Sequence, residues 1–175
     1  MAADVQYYFA PQSPWTYLGH LRFWDIARKH GARIEVLPVD LGGKVFPVSG
    51  GLPLGKRAPQ RQAYRLLEMK RFSEHLHAPL NVAPKFFPVA GDDAARLIIA
   101  VEMHDGADAA MHITDAVLRA VWVEERNIAD EATLKGLDTH KANLAALTDP
   151  RKTTEAQAQQ IIKTGKPIYW LTSGM

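Results

Sequence analysis

Ser13 stands directly before Pro14, where the aromatic, β-branched run VQYYFA (Val5 to Ala10) gives way to apolar residues at helical spacing. Serine followed by proline is the pairing of a helix cap with a first helical position. Capping alone explains it, since a cap contributes about 1 kcal/mol. Position adds a second reading. A helix that starts at the carboxyl end of the first strand of an α/β sheet presents free amides and the positive end of its dipole where ligands bind, and it favours an anion there. A thiolate is such an anion. The 175 residues include no cysteine, which excludes a thiol nucleophile, a disulfide framework and a thiolate metal site supplied by these residues. Sulfur chemistry would need a borrowed thiol.

Other chemistries find little here. There is no Gly-rich phosphate motif, no GxSxG and no HExxH. His75 and His77 are two apart, which puts them on different helix faces, and no carboxylate pattern accompanies them, so no metal site is expected. A net charge of +2 from 21 basic and 19 acidic residues gives no general attraction to phosphate polymers. Nucleic acid is not an expected partner. The start, MAADVQYYF, lacks a basic, apolar leader pattern, and the longest apolar run, Leu97 to Val101, is far short of a membrane span. A cytoplasmic location, with no membrane partner, is the expectation.

The elements that must position Ser13 are readable. Val5 to Ala10 predicts a short buried strand, and Pro14 to His30 predicts a helix stopped by Gly31. Arg33 to Leu41 (RIEVLPVDL) predicts a second strand, with Pro38 marking an edge or bulge near its end. The opening is a βαβ unit, whose strands are parallel neighbours with a right-handed connection. Gly42 to Ala58 (GGKVFPVSGGLPLGKRA) is too rich in glycine and proline for a regular element, and loops of this length tend to be functional.

Helical periodicity then recurs over Pro59 to His77, Asp92 to His104, Ala107 to Arg126 and Asp130 to Leu147, the last capped by Asp130. Four helices in succession cannot all be crossovers, so residues 59–148 are expected to form an inserted all-helical domain. After Asp149-Pro150, Thr153 to Lys163 reads as a short helix and Ile168 to Leu171 as a strand that pairs with the opening sheet. Residues 1–58 and 149–175 would then make one discontinuous α/β domain.

This order resembles the thioredoxin superfamily. Where the redox members carry Cys-x-x-Cys at the helix start, this chain has SPWT, with Ser13 in the nucleophile's place. Together with YFAPQSPWTYLG, PVDLGGKVFPVSGGLPLGKRAPQRQAYRLLEMKR, FPVAGDDAARLIIA and AVWVEERNIAD, it resembles the kappa-class glutathione transferase branch, in which a serine replaces the cysteine and bound glutathione brings the thiol. The resemblance implies a thioredoxin-like fold with an inserted all-helical domain, and glutathione as cofactor. The activity it implies is the isomerisation of 2-hydroxychromene-2-carboxylate and trans-o-hydroxybenzylidenepyruvate in naphthalene-type aromatic catabolism. It also implies a small aromatic carboxylate as substrate and a homodimer.

The resemblance makes Ser13 the catalytic residue and a glutathione contact, donating to the sulfur and drawing its pKa below the free-thiol value of about 8.5. The Gly/Pro loop would wall the substrate site, where Lys44, Lys56 and Arg57 are placed to meet carboxylates; a solvated basic edge is the plainer account of each. Arg61 lies where relatives carry a basic glutathione contact. Trp15 would line the substrate pocket, although core packing is the better account of it from the residues alone. Asp40 would orient a cation or cap a turn.

Gly165 to Pro167 match the branch's Gly-x-Pro, so Lys166 and Pro167 are expected to offer backbone to the glutathione cysteinyl group. The branch's later hairpin strand, WGxDR-type segment and final helix have no counterpart up to Met175, so the C-terminal part of the sheet reads as shortened. Two other functions stay open: a kappa-like transferase that consumes glutathione, and a non-catalytic ligand-binding protein.

Overall fold

The computed structural model describes residues 3–137 and residue 154. Strands β1 (Asp4–Phe9) and β2 (Arg33–Pro38) pair in parallel, with Val5 opposite Ile34 and Tyr7 opposite Val36. Parallel neighbours cannot be joined by a tight turn, and helix α1 (Pro14–Lys29) supplies the crossover. The strands alternate. Val5, Tyr7 and Phe9 turn inward, while Asp4, Gln6 and Tyr8 face out. The outer face carries polar rungs, Arg33 Nε on Asp4 Oδ1 at 2.6 Å and Gln6 Nε2 on Glu35 Oε2 at 2.9 Å.

β2 is shorter than its expected span. The ladder closes with the Val39 amide on the Phe9 carbonyl at 2.8 Å, and Asp40 then caps a turn. Gly42 to Ala58, expected to be irregular, contains a wide turn (Leu41–Val45), a single-turn helix α2 (Phe46–Ser49) and a tight turn (Leu54–Lys56). Asp40 Oδ1 accepts the Gly43 amide at 2.7 Å. A Cβ on Gly43 would sit 2.3 Å from Asp40 Oδ2, so a larger residue there would displace the capping carboxylate.

Three long helices follow: α3 (Pro59–Leu76), α4 (Asp92–Asp105) and α5 (Ala107–Trp122). Pro59 occupies the first turn of α3, and His77 closes it in the left-handed region at φ 50°. Gly106, at φ 87°, separates α4 from α5. Helix α5 carries a narrow polar stripe, Asp108, His112, Asp115 and Arg119, and is apolar over the rest of its surface, which faces the core. Met111, Ile113, Val117, Leu118 and Trp122 are fully buried in it, and it packs on α4, α1 and β2. It ends at Trp122, short of the expected Arg126, because the Val123 and Glu124 amides both return to the Arg119 carbonyl and the Arg126 amide to Ala120. On the outer side of β2, Glu102 Oε1 of α4 accepts the Val36 amide at 2.8 Å.

Residues Met1–Lys135 pack as one compact unit. A further helical stretch opens after Asp130, whose Oδ2 accepts the Thr133 amide at 3.0 Å, so the expected cap is in place. The rest of that helix, the helix expected at Thr153 to Lys163 and the strand expected at Ile168 to Leu171 lie outside the described residues. No helix among the described residues is long and apolar enough to cross a membrane.

α1 is fastened by His20, which is fully buried. Its Nε2 lies 3.0 Å from the Met111 carbonyl of α5 and its Nδ1 3.1 Å from the Tyr7 hydroxyl of β1. A carbonyl only accepts, so Nε2 donates and Nδ1 receives the tyrosine proton. Burial pushes the His20 pKa down to about 4 from 6.5, against the Met111 carbonyl, which raises it, with His112 lowering it further.

The unfolded chain therefore binds one more proton than the folded one between these two values. Stability is full above about pH 6.5 and falls as pH drops toward 4, by on the order of 3 kcal/mol in all. Urea denaturation from pH 7 to 5 is expected to show a slope of about 1 kcal/mol per pH unit below 6.5. His20→Gln should flatten that slope while lowering stability at pH 7. An unchanged slope in the variant would assign the effect to other groups.

Candidate functional site

The helix that begins at the carboxyl end of β1 carries the first part of the site. Ser13 is half-buried and extended (φ −80°, ψ 128°), and its Oγ accepts the Thr16 amide at 3.3 Å. The Ser13 amide in turn donates to Ala10 at 3.0 Å. The side chain is therefore a helix cap, as its sequence context requires, and the hydroxyl's own proton has no acceptor among the described residues. No acidic residue stands in the first turn of α1, so the positive end of the helix dipole is uncompensated.

One turn on, the Tyr17 hydroxyl donates to the Pro79 carbonyl, and burial raises its pKa. This bond clamps the start of α1. Beside it, Gln12 meets the start of α4 closely enough that a Cβ on Gly91 would lie 2.4 Å from Gln12 Oε1.

The second part is a groove of about 580 Å³ lined by Trp15 of α1 with Arg57, Gln60, Arg61, Tyr64, Arg65, Glu68 and Phe72. The volume suits a small ligand. Trp15 meets Phe72 edge-on at 6.0 Å between ring centres. Arg57 is positioned by Nε on the Leu52 carbonyl at 2.9 Å and stands over the Phe46 ring at 5.8 Å. Arg65 is half-buried over the Phe87 ring at 5.2 Å; burial and then the Arg57 charge lower its pKa. Two guanidiniums that disfavour one another favour an anion between them.

Of the residues expected in the site, Trp15, Arg57 and Arg61 are brought together in this groove. Ser13 is not among its lining residues and adjoins it through Trp15, two positions along. Lys44 and Lys56 are exposed on the turns of the Gly/Pro segment and line no part of it. Lys166 and Pro167 lie outside the described residues. Sequence reasoning passed over Arg65, Glu68 and Phe72; their spacing from Arg61 of four, seven and eleven residues was the available signal. A smaller hollow of about 320 Å³ at the opposite end of the sheet, around Asp4, Arg33 and Glu35, has its charges satisfied within itself.

A parallel βαβ opening, a ligand-ready helix start and a following helical region define a thioredoxin-like α/β protein with an inserted helical region. The DSBA-like thioredoxin domain family matches residues 4–171, and the chain belongs to that family. No curated protein matches. Among solved structures, that of selenomethionine 2-hydroxychromene-2-carboxylate isomerase is similar, with a TM-score of 0.58 and 22% identity, covering 91% of this chain and 78% of the isomerase chain. At that identity the likeness is one of fold. Without cysteine, the described site has no dithiol of its own.

The cap and any chemistry of Ser13 are separable. Ser13→Ala is expected to lower stability by about 1 kcal/mol, whereas Ser13→Asp keeps a capping oxygen and should match or exceed the wild type. Thermal unfolding of the two variants checks this; equal losses in both would mean that Oγ does not cap α1.

Proposed function

We propose that this protein is a glutathione-dependent isomerase that interconverts 2-hydroxychromene-2-carboxylate and trans-o-hydroxybenzylidenepyruvate. The observation that carries the reading is the Ser13 hydroxyl, proton unassigned, at a helix start with no acid in its first turn and no cysteine in the chain. The residues fit glutathione. An uncompensated helix start favours a thiolate, and the adjoining groove offers Arg57, Arg61 and Arg65 to carboxylates.

Bound glutathione would supply a thiol nucleophile able to add reversibly to a conjugated enone carbon and leave unchanged. The chain's own residues do the rest. Ser13 donates its hydroxyl proton as a hydrogen bond to sulfur, which favours thiolate over thiol and lowers the pKa. The guanidiniums of Arg57 and Arg61 hold carboxylates of cofactor and substrate, and Trp15 and Phe72 offer ring faces to an aromatic substrate. The reading carries with it a cytoplasmic homodimer.

Purified protein is expected to convert the chromene to the enone only with glutathione present, leaving the glutathione concentration unchanged. Ser13→Ala should lose about a hundred-fold in rate and the ultraviolet thiolate band seen near neutral pH. Steady depletion of glutathione would replace the isomerase with a conjugating transferase. No thiolate band in the wild type would end the isomerase reading.

A further inference from the structure

The groove has charge of both signs, and its single carboxylate is uncommitted. Arg61, Arg65, Glu68 and Phe72 follow one another at four, three and four residues on α3, which places them on one face. Glu68 sits three residues after Arg65, the usual spacing for an internal ion pair. That pair does not form. Arg65 is turned over the Phe87 ring instead, and among the described residues no cation lies within 4.0 Å of Glu68 and no carboxylate within 4.0 Å of Arg57, Arg61 or Arg65.

A groove meant for a simple dicarboxylate would be weakened by this half-buried carboxylate. A ligand carrying carboxylates and one ammonium turns the same group into an attraction. The span agrees as well. Arg61 and Glu68 are seven residues apart, about 10.5 Å along the helix axis, and an extended tripeptide reaches about 10 Å.

We infer that Glu68 accepts the α-ammonium of a γ-glutamyl peptide whose carboxylates lie on Arg57, Arg61 and Arg65. The inference rests on the glutathione reading above and deepens it: the site selects a zwitterion, and Glu68 is the residue that tells a free amine from a blocked one. A half-buried carboxylate hydrogen-bonded to an ammonium gives a modest but readable preference.

The test uses S-methylglutathione and its N-acetyl derivative, which differ in the ammonium and have no free thiol. Calorimetric titration of the wild type should show S-methylglutathione binding about three- to ten-fold tighter than the acetylated form. Glu68→Gln should bring the two affinities together, and Glu68→Lys should reverse their order, with circular dichroism confirming that both variants fold. A gap that persists in Glu68→Gln, equal weakening of both ligands, or no binding of either to the wild type would overturn the inference. Since neither probe can form a thiolate, these results are independent of the Ser13 band: its absence from the wild type ends the isomerase reading and leaves the Glu68 titrations standing, whereas a gap that persists in Glu68→Gln ends the Glu68 assignment and leaves the isomerase reading standing.

Discussion

A single buried imidazole holds the arrangement together. His20 engages the Met111 carbonyl of α5 through one nitrogen and the Tyr7 hydroxyl of β1 through the other, so strand, crossover helix and central helix are tied at one point. With both nitrogens used and the ring packed near Tyr7 and Trp24, α1 has little freedom to rotate or slide. Leaving either partner unmatched in this interior would cost about 1–3 kcal/mol. Everything said of Ser13 and Trp15 follows from that fixed axis. The Tyr17 bond to Pro79 adds a second fastening one turn from the helix start.

Two features of unlike origin meet at the end of α1. One is backbone electrostatics: aligned peptide dipoles, free amides and a first turn without acid. The other is a side-chain field, in which guanidiniums from α3 and the turn before it face Trp15 across an open groove. The first favours a compact soft anion at a point, and the second spreads attraction over the length of a small molecule. A member of a thioredoxin domain family without cysteine has no thiol of its own with which to carry dithiol exchange.

Much of this was legible before any coordinates. The βαβ opening, the Ser13 cap, the Asp130 cap and the use of Asp40 all rest on contacts between near neighbours in the chain, and local patterns report those well. Lys44 and Lys56 show what such reasoning does not reach. They share a loop with Arg57, but side-chain direction in a segment of short turns is set by φ and ψ at each residue, and both lysines end in solvent. His20 was illegible for another reason, since its partners lie 13 and 91 residues away. The end of α5 was misplaced because its closing turn is made by backbone amides, which carry no side-chain signature.

The carboxylate that α4 lends to β2 also governs how the molecule meets other chains. Glu102 occupies the outward amide of Val36, which removes a donor that an incoming strand would need and places a negative charge where that strand's carbonyls would lie. Recruitment of extended peptide, and edge-to-edge aggregation with it, is thereby discouraged along this flank.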